Sequence, residues 1–207
     1  MRKILDVSGT TVHSLDASRG NYAYLVTDAT RRILVDTGLP GQGTALLREL
    51  QALERPLTDV VITHYDVDHV GNLARVAAQG PVSVWIPEQD APYILGDTPR
   101  PGVKRLIAAL VKTEPPDHWS PVRPGDQIGP LTAVASPGHT PGHLAYQGPG
   151  FLLVGDAITT RNGKAGPMSA ILAWNPSVMR STAQSLLDGF SGWILPAHGE
   201  PLNVAGA

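Results

Sequence analysis

The chain has 207 residues, of which 42% are hydrophobic and 16% are charged, and its formal net charge is −2. This length is sufficient to bury a sizeable core, and the near-neutral charge gives no sign of the basic surface that is typical of nucleic-acid-binding proteins. The chain has no cysteine, which excludes disulfides, thiolate nucleophiles and cysteine-ligated metal centres. Any bound metal must therefore use histidine, aspartate or glutamate.

Short apolar segments rich in β-branched residues predict strands, and segments with helical spacing of apolar residues lie between them. The predicted strands are 22–26, 32–36, 59–63, 82–86, 131–135, 144–148, 151–155 and 192–196. The predicted helices are 43–53, 71–79, 102–113 and 177–189. This order indicates an α/β or mixed α/β protein with two layers of helices. We expect one domain, 1–207, with halves of about 1–120 and 121–207 joined by the proline-rich stretch 113–127.

The amphipathic segment "VKRLIAALVK" (103–112) favours an outer helix packed on a sheet, with an interface between protein copies as the alternative. The N-terminal segment "MRKILDVSG" has too short an apolar run for a signal peptide, and no run of 18 apolar residues occurs. We therefore expect a soluble, cytoplasmic protein with a small-molecule substrate and with neither a membrane nor a nucleic-acid partner. The oligomeric state is left open.

Metal-capable side chains follow the C-terminal ends of four predicted strands. They are His64, Asp66, Asp68 and His69, then His139 and His143, then Asp156, and finally His198. Strand ends converge on one edge of an open sheet, where ligand sites lie. The sequence therefore predicts that these side chains meet in one metal site.

The sequence allows two roles for Asp68. Asp68 can bind metal or cap the helix predicted from Gly71, because aspartate is a good N-cap residue.

The segment "SPGHTPGH" (136–143) places a proline and a glycine between its two histidines, which argues against a helix that would align their side chains. We therefore favour His139 as a ligand and His143 as a supporting residue. His13 and His118 lack neighbouring metal-capable residues, and we expect ordinary structural roles for both.

Together these residues resemble the metallo-β-lactamase fold superfamily. The matching segments are "ILVDTG" (33–38), "THYDVDHVG" (63–71), "GHTPGH" (138–143), "VGDAI" (154–158) and "PAHGEP" (196–201). The resemblance implies an α+β fold, an αββα sandwich with two sheets face to face and helices outside. It also implies that Asp36 is a buried support of the site.

The resemblance further implies two divalent metal ions, with zinc as the first expectation. Their ligands would be His64, Asp66 and His139 for the first ion and Asp68, His69 and His198 for the second, with Asp156 and a hydroxide as bridges. Asp68 would also orient the nucleophile and carry its proton, which makes it the expected catalytic residue.

Asp66 departs from the family pattern, which usually has histidine there. Three aspartates, two divalent ions and one hydroxide sum to zero charge, against +1 with histidine. The added carboxylate should weaken the Lewis acidity of the ions and favour manganese or iron over zinc at the first site. Alternatively, Asp66 does not bind metal and only the second site fills.

The resemblance implies a hydrolase, and we expect a small ester, lactone or thioester substrate. The chain shows neither the C-terminal domain of glutathione thioesterases nor the insertion of nuclease members. The alternatives are an iron-dependent oxidoreductase, either flavodiiron-like or persulfide dioxygenase-like, a phosphodiesterase, or a metal-binding protein without activity. In the segment 159–177, which should pass near the site, we favour Met168 and Trp174 as core residues over pocket residues.

Overall fold

The computed structural model describes residues 1–204. Its strands are β1 (Arg2–Val7), β2 (Thr10–Ser14), β3 (Tyr24–Thr27), β4 (Arg32–Val35), β5 (Asp59–Val61), β6 (Ser83–Pro87), β7 (Ser120–Val122), β8 (Gln127–Ile128), β9 (Leu131–Ala135), β10 (Leu144–Gly148), β11 (Phe151–Gly155), β12 (Ile158–Arg161), β13 (Lys164–Pro167), β14 (Gly192–Pro196) and β15 (Leu202–Val204). Its α-helices are α1 (Gly43–Gln51), α2 (Val67–Val70), α3 (Leu73–Ala77), α4 (Ala91–Leu95), α5 (Val103–Leu110) and α6 (Pro176–Leu187).

The strands form two sheets and one separate hairpin. The first sheet has the order β1-β2-β3-β4-β5-β6-β7, antiparallel as far as β4 and parallel from β4 to β7. The second has the order β15-β14-β11-β10-β9-β8, in which β14 runs parallel to β11. Strands β12 and β13 pair only with each other. Within the stretch 113–127, residues 123–126 connect β7 of the first sheet to β8 of the second, and the division into halves of about 1–120 and 121–207 stays a prediction.

Alternation of side chains along the strands creates the layers. Ile33 and Val35 of β4 lie in the core between the sheets with Phe151 and Leu153 of β11. Leu34, between the first two, faces the opposite side with residues of α1 and α3. The second sheet packs its outer face against α6 in the same way. The predicted αββα sandwich is therefore confirmed.

All eight predicted strands and all four predicted helices occur; β9, β10, β11 and β14 have the predicted bounds, and the other elements have shifted ends. The sequence reading misses β1, β2, the very short β7 and β8, the hairpin β12–β13, and β15. Strand β1 carries charged residues at exposed positions, so its apolar pattern is weak. The short helices α2 and α4 are missed because four or five residues show no periodicity.

The prediction for helix α5 is wrong in one respect. Its only buried residue is Lys104, whereas Leu106 and Leu110 are exposed. Helix α5 therefore does not bury its apolar residues on a sheet. No helix within residues 1–204 is both long enough and apolar enough to span a membrane.

Candidate metal centre

The seven predicted ligands lie together at one edge of the sandwich, just beyond the ends of β5, β9, β11 and β14. They form two groups, within each of which the candidate ligand atoms lie within 4.8 Å of one another. The first group is His64, Asp66, His139 and Asp156, and the second is Asp68, His69 and His198. We call their locations the first and second subsites.

Asp156 lies between the two subsites. Its Oδ2 is 3.3 Å from His139 Nε2 and 3.9 Å from His64 Nε2. Its Oδ1 is 3.4 Å from His69 Nε2 and 3.5 Å from His198 Nε2. One carboxylate oxygen thus faces each subsite, which is the arrangement a bridging ligand requires.

The donor atoms are suited to metal ions. Tetrahedral bonds of about 2.0–2.2 Å place ligand atoms roughly 3.3–3.6 Å apart, which matches three of the four separations around Asp156, the one to His64 being longer at 3.9 Å. His64 Nε2, His69 Nε2 and Asp156 Oδ1 are buried without a hydrogen-bond partner. Unpartnered buried polar atoms are costly, and divalent ions would satisfy all three. Metal binding by the seven residues stays a prediction.

Helix α2 carries two of the second-subsite residues. Asp68 is its second residue and His69 its third, whereas Asp66 occupies the N-cap position without making a side-chain capping hydrogen bond. The alternative role of Asp68 as a helix N-cap is therefore wrong. Its Oδ2 lies 3.2 Å from His198 Nε2. Burial opposes the charged form, but His69 and His198 hold the pKa of Asp68 below its usual value.

Asp36 supports the second subsite from below. Its Oδ2 lies 2.8 Å from His69 Nδ1 and accepts a hydrogen bond from Thr63 Oγ1, while its Oδ1 accepts from the Thr63 amide. Contact of Nδ1 with a carboxylate leaves His69 Nε2 available to a metal ion in the second subsite. Asp36 adopts the left-handed conformation, with φ of 62°, which only surrounding contacts of this kind can hold in place.

We expect Asp36→Asn to weaken metal binding about 10–100-fold. Asparagine tolerates the left-handed conformation, so the backbone should be preserved while the charge that orients His69 is lost. Metal affinity measured by competition with a chromophoric chelator checks this. The control is Asp6→Asn, since Asp6 is exposed and remote from the site; equal affinities for both variants would contradict the supporting role.

His143 is placed as expected for a supporting residue. Its Nδ1 lies 2.7 Å from Ser136 Oγ, and its Nε2 accepts a hydrogen bond from the Asp156 amide. Burial lowers the pKa of His143 well below its usual value, so the ring is neutral. His143 thereby positions the backbone of the bridging aspartate. His13 and His118 lie outside both metal-capable groups within residues 1–204.

The sequence reading misses Asp90, which joins two loops of the site. Its Oδ2 accepts hydrogen bonds from Thr140 Oγ1 and the Tyr65 amide, and its Oδ1 accepts from the Gly142 amide. Tyr65 directly precedes Asp66, whereas Thr140 and Gly142 follow His139. Burial raises the pKa of Asp90 to about 6 although these hydrogen bonds oppose the shift. The sequence gives no local signal for this role of Asp90, because its hydrogen-bond partners lie far along the chain.

Asp90→Ala should lower the free energy of unfolding by about 2 kcal/mol or more, because three buried donors lose their acceptor. Urea unfolding of the metal-free protein measures this change. Asp97→Ala is the matched control, since Asp97 is exposed on the same segment. A loss no larger than that of the control would show that water replaces the carboxylate.

A second residue missed from the sequence is Lys104. Its Nζ lies 2.7 Å from Asp66 Oδ2 and 3.1 Å from His139 Nε2. Burial opposes ionisation of Asp66, but His139, His64 and Lys104 hold its pKa well below its usual value. A buried cation therefore lies directly at the first subsite.

An apolar groove of about 180 Å³ begins at Lys104. Tyr65, Val103, Ile171, Leu172 and Trp174 are among its lining residues. Trp174 is 52% exposed, so its expected place in the core is wrong. Met168 is half-buried and belongs to none of the core clusters among residues 1–204. The groove gives the site room for a small apolar group.

A family model and individual relatives indicate the same family for this chain. A family model described as the metallo-beta-lactamase superfamily matches residues 18–183. The uncharacterized protein YobT of Bacillus subtilis is 31% identical over 194 residues, which cover 86% of this chain and 82% of that protein. A hydroxyacylglutathione hydrolase of Dechloromonas aromatica is 32% identical over 148 residues, which cover 70% of this chain and only 46% of that enzyme.

Solved structures show the same fold. TTHA1623 in a di-iron-bound form is 25% identical with a TM-score of 0.69, and the match covers 88% of this chain and 89% of that one. The hydrolase AbOPH of the beta-lactamase superfamily is 14% identical with a TM-score of 0.72, covering 100% and 93%. At that lower identity the likeness concerns the fold alone.

Proposed function

Because this chain belongs to the metallo-β-lactamase superfamily, we propose that it is a metal-dependent hydrolase that cleaves a small ester, lactone or thioester. The observation that carries the proposal is the position of Asp156, with one oxygen toward each subsite. Two divalent ions, with zinc as the first candidate, would supply an activated water and stabilise charge on the carbonyl oxygen. His64, Asp66 and His139 would hold one ion and Asp68, His69 and His198 the other.

Asp68 is suited to proton transfer. Its side chain is 24% exposed, and it lines a small cavity with Arg100 and Lys104. The lowered pKa keeps it ionised at neutral pH. A carboxylate in this position can accept the proton of the attacking water and pass it to the leaving group.

The groove beside Lys104 supports a small apolar acyl group. Its volume of about 180 Å³ is below the range of about 300–1,000 Å³ that is common for drug-sized ligands. Ile171 and Trp174 stand exposed at its rim, where they would contact an incoming chain. The matched hydroxyacylglutathione hydrolases favour a thioester within this class, although this chain spans about half of their length.

The test is a panel of esters, lactones, thioesters and phosphodiesters offered to metal-loaded protein. We expect turnover of a carbonyl substrate that a chelator abolishes and added metal restores. Turnover of phosphodiesters alone would refute the proposed substrate class.

A second candidate is an iron-dependent oxidoreductase. It is favoured by the acidic ligand position Asp66 and by the similarity to a protein whose structure is of a di-iron-bound form. Visible absorption of the protein purified with iron, together with oxygen consumption, would favour this candidate. Colourless protein that turns over carbonyl substrates without oxygen would refute it.

A further inference from the structure

Lys104 is unusual because this lysine is the only buried residue of helix α5. It is 5% exposed, while Val103, Leu106 and Leu110 on the same helix are 45%, 67% and 87% exposed. Its Nζ donates to Asp66 Oδ2 at 2.7 Å and to the His139 carbonyl at 3.3 Å, and lies 5.0 Å from the centre of the Tyr65 ring. Helix α5 therefore contacts the site through the ammonium group of Lys104.

The buried charge of Lys104 explains why a carboxylate stands at position 66, and the carboxylate of Asp66 explains how the lysine can be buried. A buried ammonium is strongly unfavourable unless a counter-charge pairs with it. Within residues 1–204, Asp66 is the only carboxylate that forms an ion pair with Lys104. A neutral imidazole at position 66 would bring no negative charge and could not balance the buried ammonium. We therefore treat Asp66 and Lys104 as one ion pair whose members depend on each other.

The pair also affects metal binding. His139 Nε2 lies 2.9 Å from Asp66 Oδ2 and 3.1 Å from Lys104 Nζ, and it can donate to the first or accept from the second, but neither hydrogen bond is compatible with metal binding by the same nitrogen. Asp66 differs, because its Oδ1 is buried without a partner and remains free while Oδ2 holds Lys104. An ion entering the first subsite must therefore replace the hydrogen bond that His139 Nε2 makes with Asp66 or Lys104, and it then remains close to a second positive charge.

The second subsite differs in that no lysine or arginine within residues 1–204 is ion-paired with its residues, although the buried Arg100 and Lys104 line a small cavity with Asp68. Among the described residues, Asp68, His69 and His198 form ion pairs only with one another, with Asp36 and with Asp156, and with no lysine or arginine. The two subsites share Asp156 but differ in the charge beside them. Metal ions should therefore distinguish between them.

We propose that Lys104 is an internal counter-cation that makes the first subsite the weaker of the two and sets the order in which they fill. The second subsite and Asp156 take the first ion, and the first subsite fills only at higher free metal. This rests on the metal-binding part of the proposed function and on none of its substrate chemistry.

The test is equilibrium dialysis of metal-stripped protein against a series of buffered free zinc concentrations, with bound metal counted by mass spectrometry. For the native protein we expect two binding steps at least about tenfold apart in free zinc. Lys104→Met should shift the second step to lower free zinc by about tenfold or more, within the range typical of groups that contact metal ligands. Arg105→Met is the matched control, because it removes the same charge from an exposed neighbour on the same helix.

Circular dichroism verifies that each variant is folded, and Lys104→Gln replaces the methionine variant if that one does not fold. A second step that does not move, or that moves to higher zinc, overturns the proposal, as does native protein in which both steps coincide or in which no zinc binds. Loss of carbonyl turnover in Lys104→Met with an unchanged zinc curve would instead assign the lysine to the substrate. Because bound zinc is counted without any substrate, these outcomes are independent of whether the hydrolase proposal holds.

Discussion

Asp156→Ala is expected to reduce turnover of the carbonyl substrate by at least about 10³-fold in a protein that remains folded. Asp156 is the one carboxylate that faces both subsites, so its loss removes a ligand from each. Electrostatic groups aimed at a reacting centre typically contribute about 10²–10³ each, and Asp156 would act through two ions. The hydrogen bond from its backbone amide to His143 is preserved in the variant, which favours retention of the loop.

Initial rates at saturating metal, together with circular dichroism, measure this effect. His64→Ala is a second variant with the same expected loss, since His64 belongs to the first group. Asp117→Ala is the control, because Asp117 is exposed and belongs to neither metal-capable group. Near-native turnover in either site variant would mean that the reaction does not use the two-subsite centre.

The position of the site is predictable from sequence because it depends partly on local patterns. Strands β5 and β11 are fully buried, and the apolar residues that end them are followed by the polar residues of the site. The two strands belong to different sheets, so the face-to-face packing that the family resemblance implies is what brings His64 and Asp156 to the same edge of the sandwich. Only the first step is independent of contacts between distant parts of the chain.

Asp90 and Lys104 could not be predicted in this way, since their roles depend on partners far along the chain. Lys104 lies 35 residues from His139, as the hydrogen bond between them records. The spacing of apolar residues in α5 indicates an amphipathic helix, but it does not specify whether that helix buries its leucines or its lysine. Burial of the lysine is decided by the carboxylate at position 66, which is a tertiary contact.

This contact changes the charge argument made for Asp66. When only the ligands, the two divalent ions and the hydroxide are counted, the total charge of the centre is zero. With histidine at position 66 the total charge would be +1. Including the ammonium of Lys104 restores that missing charge. A reduced Lewis acidity is therefore no longer expected from charge, and only the hardness of the carboxylate oxygen still favours manganese or iron at the first subsite.

Asp66→His should therefore cost about 3 kcal/mol of unfolding free energy in the metal-free protein, because it leaves a buried ammonium without its counter-charge. Lys104→Met should have a comparable cost, since it leaves a buried carboxylate. Combining the two removes both charges, so the double variant should be about 3 kcal/mol more stable than the sum of the two single effects predicts. Urea unfolding in the presence of a chelator measures all three.

Asp66→His combined with Arg105→Met provides the control, and its two effects should simply add because Arg105 is exposed on the same helix. Additive effects for the Asp66 and Lys104 pair as well would show that the two side chains do not stabilise each other. With coupling established, the double variant should also favour zinc over manganese at the first subsite more than the native protein does, because imidazole replaces a carboxylate there without any change in total charge.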